Sequence, residues 1–195
     1  MRLHSEKDRR VQRTKQAIQD SMLTLLEEEP INRISVSRLC QLAGINRSTF
    51  YTYFADPEDL LIHIEEELVR EIQDRMGSFS GESYLSQLVL SLIYTMNQHQ
   101  RLCAILFSRH CDTAFLDRMI LLIQERVLEE WGGQHGLSPV QKEMLYTFVA
   151  RGCVGVVEHW AASGFMQPPE EVATLLERFS CSVTRMLESA APASN

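Results

Sequence analysis

Three residues of types that can cap helices, Ser35, Asn46 and Asp56, follow one another in a short stretch, and Gly44 stands between the first two. A hydroxyl, carboxamide or carboxylate in such a position accepts hydrogen bonds from the first-turn N–H groups, so each marks a helix start. After Ser35, Val36, Leu39 and Leu42 recur at helical spacing. Gly44 ends that helix, because glycine takes positive φ at little cost. A further short helix is predicted over about 47–53. Asp56 opens the next, with Pro57 at its first position, Glu58 and Asp59 in its first turn, and Leu61, Ile64, Leu68 and Ile72 carrying it to about Met76. Two short helices joined by a glycine turn and followed at once by a long one leave no room for a strand.

The same periodicity runs through most of the chain. Ala17, Ile18, Met22, Leu25 and Leu26 predict a first helix over about 8–28, stopped before Pro30. The run Glu27-Glu28-Glu29 opposes the helix dipole at that end and predicts a weak last turn. Gly77 to Gly81 reads as a linker. Helices are predicted over about 82–98, 100–108 and 113–131. Gly132 to Pro139 forms a second break, and Ser138-Pro139 opens a long helix to about Ser163. Pro169 opens the last, to about Ser189. No alternating strand pattern and no internal repeat is visible, so the expected class is all-α. The expected division is a small unit over 1–55 and a larger helical one over 56–195.

Charge divides the chain in the same way. Residues 1–55 hold nine Lys/Arg against six Asp/Glu, whereas 56–195 hold ten against twenty. A basic end on an acidic body fits one end meeting a polyanion. The start has no apolar signal region, and the longest apolar runs fall short of a membrane span, which predicts a cytoplasmic protein without a membrane partner. Five scattered cysteines, Cys40, Cys103, Cys111, Cys153 and Cys181, lack the spacing of a disulfide framework or a zinc site. They are expected to be small buried hydrophobes, and a redox-sensing thiol, if present, would be Cys103 or Cys111. Neither a cofactor nor a metal is implied. A phosphate-binding glycine loop, an H-E-x-x-H pair and a nucleophile elbow are all absent from the sequence, so an enzyme is not expected.

Helix, glycine turn and helix make a helix-turn-helix. Its packing needs a small residue, Ala43, where the helices cross, and apolar Ile45 and Phe50 turned inward. Arg47, Ser48, Tyr51 and Thr52 are then left outside. Arginine can read guanine in the major groove, Ser and Thr can meet base edges or phosphates, and Tyr can pack on thymine methyls. Ser35 and Ser37, at the start of the preceding helix, can meet a phosphate.

The segment "ISVSRLCQLAGINRSTFYTYFADPEDLL" resembles the N-terminal signature of the TetR family of one-component transcriptional regulators, with residues 9–68 matching. The resemblance implies a homodimer with a small DNA-binding domain, joined by the fourth helix to a larger ligand-binding and dimerisation domain. It implies a repressor released from a palindromic double-stranded operator by a small-molecule effector. It places Arg47, Ser48 and Tyr51 near bases, Ser37, Thr49 and Tyr53 near phosphates, and Phe54 between the third and fourth helices. The family usually carries a phosphate-binding lysine where this chain has Pro57. Arg9, Arg10 and Arg13 are expected to supply part of that affinity. The competing reading is an all-α interaction module that has lost DNA binding.

In the body, Gly152 and Gly155 lie inside an apolar helix, where each costs about 1 kcal/mol relative to Ala. Close approach of a second helix would offset that cost. Gly152, Gly155, Val156 and Trp160, with Leu176, Phe179 and Val183 of the last helix, are the expected dimer interface. Met96, His99, Phe107, His110, Trp131 and Tyr146 are the candidates to line an effector pocket, since they combine apolar walls with polar anchors.

Overall fold

The computed structural model describes residues 2–77, 79, 84–107, 114–130 and 137–190, and the backbone alone for 2–7, 114, 130 and 184–190. All regular structure among the described residues is helical, as the periodicity requires. The helices are α1 (Arg2–Leu26), α2 (Val36–Ala43), α3 (Arg47–Phe50), α4 (Pro57–Met76), α5 (Tyr84–Gln98), α6 (Gln100–Leu106), α7 (Ala114–Glu130), α8 (Pro139–Ala162) and α9 (Pro169–Ala190), with a 3-10 turn at Ile31–Arg33. They form two compact units. One holds α1–α3 and α4 through Arg70, and the other holds α4 from Glu71 with α5–α9.

In the first unit α1 packs on α2 and α2 on α3. Ile18, Met22, Leu39, Phe50 and Leu60 are wholly buried there, with Leu25, Phe54, Ile64 and Leu68 nearly so. Helix α1 begins at Arg2, earlier than the apolar spacing suggested, because polar residues continue a helix without adding to its apolar stripe. It ends at Leu26, and the glutamates after it lie in turns, as their conflict with the helix dipole predicts. The N–H of Arg38 donates to Ser35 Oγ (3.3 Å), which caps α2. Gly44 ends α2 in the left-handed region (φ 66°, ψ 34°), while the Ile45 N–H reaches back to the Cys40 carbonyl at 3.0 Å and that of Gly44 to Gln41 at 3.4 Å. This is a Schellman closure. Because an L side chain in that region costs about 1–3 kcal/mol, Gly44→Ala is expected to lower the stability of this unit by that amount, read from its melting curve. A substitution without effect would contradict the turn.

Two expectations need correction here. Helix α3 stops at Phe50 rather than near 53. The N–H groups of Thr52 and Tyr53 turn to carbonyls three residues back, so the segment finishes in tightened turns. Asn46 stands at the N-cap of α3 but its carboxamide makes no capping bond. The next start is as predicted: the Asp59 N–H donates to Asp56 Oδ1 (2.8 Å) and the Ala55 N–H to Asp59 Oδ2 (2.9 Å). Pro57 itself is buried.

In the second unit α5 packs on α9, α7 on α8, and α8 on α6 and α9. One apolar cluster gathers Val89, Ile93, Val157, Trp160, Val172 and Leu176; another gathers Tyr84, Leu88, Val127, Leu145 and Tyr146. Helix α8 opens on a full capping box. Ser138 Oγ accepts from the Gln141 N–H (3.3 Å), and Gln141 Oε1 accepts from the Ser138 N–H (2.9 Å). Between α5 and α9 the Tyr94 hydroxyl donates to Glu170 Oε1 (2.8 Å). Cys103 is wholly buried, and burial pushes its thiol up to about 12, so it carries no thiolate near neutral pH and does not suit a redox sensor. Cys111 lies outside the described residues.

Candidate nucleic-acid interface

Phe50 is wholly buried beneath α3, with Phe54 beside it at 5.8 Å between ring centroids. That anchoring fixes which residues face out. Arg47, Ser48, Tyr51 and Thr52 are exposed, Tyr51 by 58%, and Thr49 and Tyr53 are half-buried. The structure therefore gathers Arg47, Ser48, Tyr51 and Thr52 on one polar surface. Thr52 Oγ1 donates to the Ser48 carbonyl (2.9 Å), which leaves its oxygen free to accept.

Several neighbours were not singled out from the sequence. Lys15 of α1 places Nζ 5.7 Å from the centre of the Tyr53 ring, a cation–π distance. Arg38 of α2 pairs with Glu28 (3.3 Å) and with Glu29, so two acids offset its charge. Arg47 has no carboxylate partner among the described residues; its Nη2 donates to Ser37 Oγ. Cys40 lies close enough to feel that cation: burial raises its thiol pKa and Arg47 opposes the rise. Both α2 hydroxyls expected near phosphates, Ser35 and Ser37, thus also have partners within the chain. Arg9, Arg10 and Arg13 are exposed on α1.

Of the six effector candidates, Met96, His99, Phe107 and Tyr146 lie within the described residues. Met96 and Phe107 pack against the cluster around Trp160, whereas Tyr146 belongs to the other cluster and donates its hydroxyl to the Ile120 carbonyl. Burial, helped by nearby Cys153 and Tyr84, raises the Tyr146 pKa far above the ordinary tyrosine range. His99 Nε2 lies 2.8 Å from Glu71 Oε2, and Arg75 bonds both Glu71 (2.6 Å) and Gln98 (2.9 Å). His110 and Trp131 lie outside the described residues. No sequence signal pointed to Thr95, whose wholly buried hydroxyl has no hydrogen-bond partner among the described residues.

The interface candidates divide in two. Gly152 and Gly155 are exposed, and a Cβ on either would meet nothing within 4 Å. Phe179 is 55% exposed, and Val156 and Val183 are half-buried. Trp160 and Leu176 are instead buried in the chain's own core; the Trp160 indole N–H donates to the Gln167 carbonyl (2.9 Å) and its ring meets Phe165 at 4.9 Å. Periodicity missed Val140, Met144 and Phe148, which run at i, i+4 and i+8 along α8 and lie 61–69% exposed. Leu175, one turn before Phe179 on α9, is exposed as well. These large apolar side chains on α8 and α9 are thus left uncovered within the chain.

Residues 83–180 match the TetR-type family described as the transcriptional regulator C-terminal region. The chain is 25% identical over 184 residues to an uncharacterised helix-turn-helix transcriptional regulator, YxbF, of Bacillus subtilis strain 168, covering 85% of this chain and 44% of the relative. It is 33% identical over 81 residues to the dhaKLM operon transcriptional activator DhaS of Lactococcus lactis, covering 42% of each. The chain thus spans less than half the length of these curated relatives. A TetR transcriptional regulator structure from Streptococcus agalactiae 2603V superposes with a TM-score of 0.67 at 22% identity, over 93% of this chain and 99% of that one. The match over half of the chain's length is to a C-terminal region of transcriptional regulators, and the fold sets a helix-turn-helix ahead of that region. The chain belongs to the TetR family.

Proposed function

We propose that the chain binds a palindromic DNA operator as a homodimer, represses transcription, and is released by a small-molecule effector. The carrying observation is the exposed polar surface of Arg47, Ser48, Tyr51 and Thr52 over buried Phe50. Residues 1–55 read the DNA. A second copy covers Val140, Met144, Phe148, Gly152 and Gly155 on α8 with Leu175 and Phe179 on α9, so that two α3 segments face successive major grooves. The effector reading is supported by Thr95, since a buried hydroxyl without a partner is costly unless something fills its need. Helix α4 is the proposed lever, because its residues belong to both units. An effector that prefers one tilt of α4 shifts the dimer toward or away from operator binding. DhaS is named an activator; a reporter gene with the selected operator between promoter and gene tests the sign. Repression by the chain, abolished by substitution of Arg47 and Tyr51, supports the proposal, and unchanged or raised expression contradicts it.

The basic face of α1 makes a separate prediction. Replacing Arg9, Arg10 and Arg13 by alanine is expected to flatten the dependence of log K on log salt by about 0.9 for each phosphate that is no longer neutralised. An unchanged slope in a salt titration would remove α1 from the interface.

A further inference from the structure

We propose that Ser37 is a positioning residue for sequence readout: its hydroxyl holds the Arg47 guanidinium across the helix-turn-helix, and so sets how strictly Arg47 selects its base. The inference rests on the DNA-binding reading above. Resemblance assigned Ser37 to a phosphate. In the structure its oxygen accepts a hydrogen bond from Arg47 Nη2, joining α2 to the first residue of α3. A second observation locates the same guanidinium over α2: its charge reaches Cys40, three residues after Ser37 and on the same helix face.

An arginine reads guanine by presenting two N–H groups together to O6 and N7. A long, exposed side chain loses rotamer freedom when it does so. A hydrogen bond that already restrains the guanidinium in the free protein reduces that loss, and it favours the orientation in which the fork is aimed rather than merely near. Arg38 cannot take this role, because Glu28 and Glu29 hold it. The bond from Arg47 uses one N–H of Nη2 and leaves its other N–H groups for a base. The hydroxyl proton of Ser37 also stays free, so a phosphate contact by Ser37 is the rival role, and the two roles have different signatures. A phosphate contact adds affinity for every sequence and steepens the salt slope; a positioning contact changes preference at one base pair.

The experiment selects bound sites from a random-sequence duplex library with the wild-type chain, Ser37→Ala, Ser37→Thr and Arg47→Ala. Salt titrations on the selected duplex and on an unrelated duplex follow, with melting curves to confirm that each variant folds. Arg47→Ala is expected to erase preference at one base pair per half-site. Ser37→Ala is expected to relax preference at that same pair by about 2- to 10-fold, the worth of one hydrogen bond. Its salt slope and its affinity for the unrelated duplex should match wild type, and Ser37→Thr, which keeps the hydroxyl, should restore the preference. The proposal is overturned if Ser37→Ala flattens the slope by about 1 with base preference intact, or if it alters a different base pair from Arg47→Ala. If the wild-type chain enriches no sequence, the DNA-binding reading itself fails, and this inference with it.

Discussion

Replacing Arg47 and Tyr51 together by alanine is expected to weaken operator binding by at least about 30-fold, and by as much as about 10⁴-fold. A good side-chain contact to a base edge is worth about 1–3 kcal/mol of discrimination. In a two-fold dimer each contact occurs in both half-sites, so the loss of Arg47 alone amounts to about 2–6 kcal/mol, where each 1.4 kcal/mol is tenfold. Both side chains are exposed, so the melting temperature should hardly move. Fluorescence anisotropy on a selected duplex at fixed salt reads the first effect, and a melting curve the second. Retained affinity in a folded double variant would favour the competing reading of an interaction module.

The second large effect concerns the apolar row on α8 and α9. Phe148→Asp with Phe179→Asp is expected to raise the dimer dissociation constant by about 10³-fold or more. Anchor residues at interface centres are worth about 2 kcal/mol or more each when truncated, and each occurs twice across a two-fold axis. The introduced carboxylates would also have to be buried or the surfaces held apart. Sedimentation at micromolar concentration should then show a 22.4 kDa monomer in place of a particle of twice that mass. Operator affinity should fall with it, since one half-site carries only part of the binding energy. A monomeric wild type would contradict the interface at once.

Much of the helix-turn-helix unit was legible in the sequence because its signals are local. Ser35, Gly44 and Asp56 each act through bonds to backbone groups within a few residues, and each behaves as its residue type predicts. Asn46 and the end of α3 were not legible: an N-cap residue can leave its cap unmade, and a helix can tighten into 3-10 turns without any change of pattern. The body was harder for a different reason. Periodicity identifies apolar faces, not what covers them. Trp160 and Leu176 lie in the chain's own core, while Met144 and Phe148, equally apolar, lie outside. Met96 and Tyr146, both apolar-wall candidates in the sequence, belong to separate clusters that only the packing of α5 to α9 defines. The Arg47–Ser37 bond joins residues ten positions apart on different helices, and the sequence marks both residues but not the bond between them.

Two copies of this chain are proposed to read duplex DNA symmetrically. Hydroxyl-radical footprinting on a duplex recovered by selection tests it most directly. Two equal protected patches related by a two-fold axis are expected, their centres about 34–36 Å apart, one helical turn, or a multiple of that. A single unsymmetrical patch, or no protection at concentrations where the chain is dimeric, would contradict it.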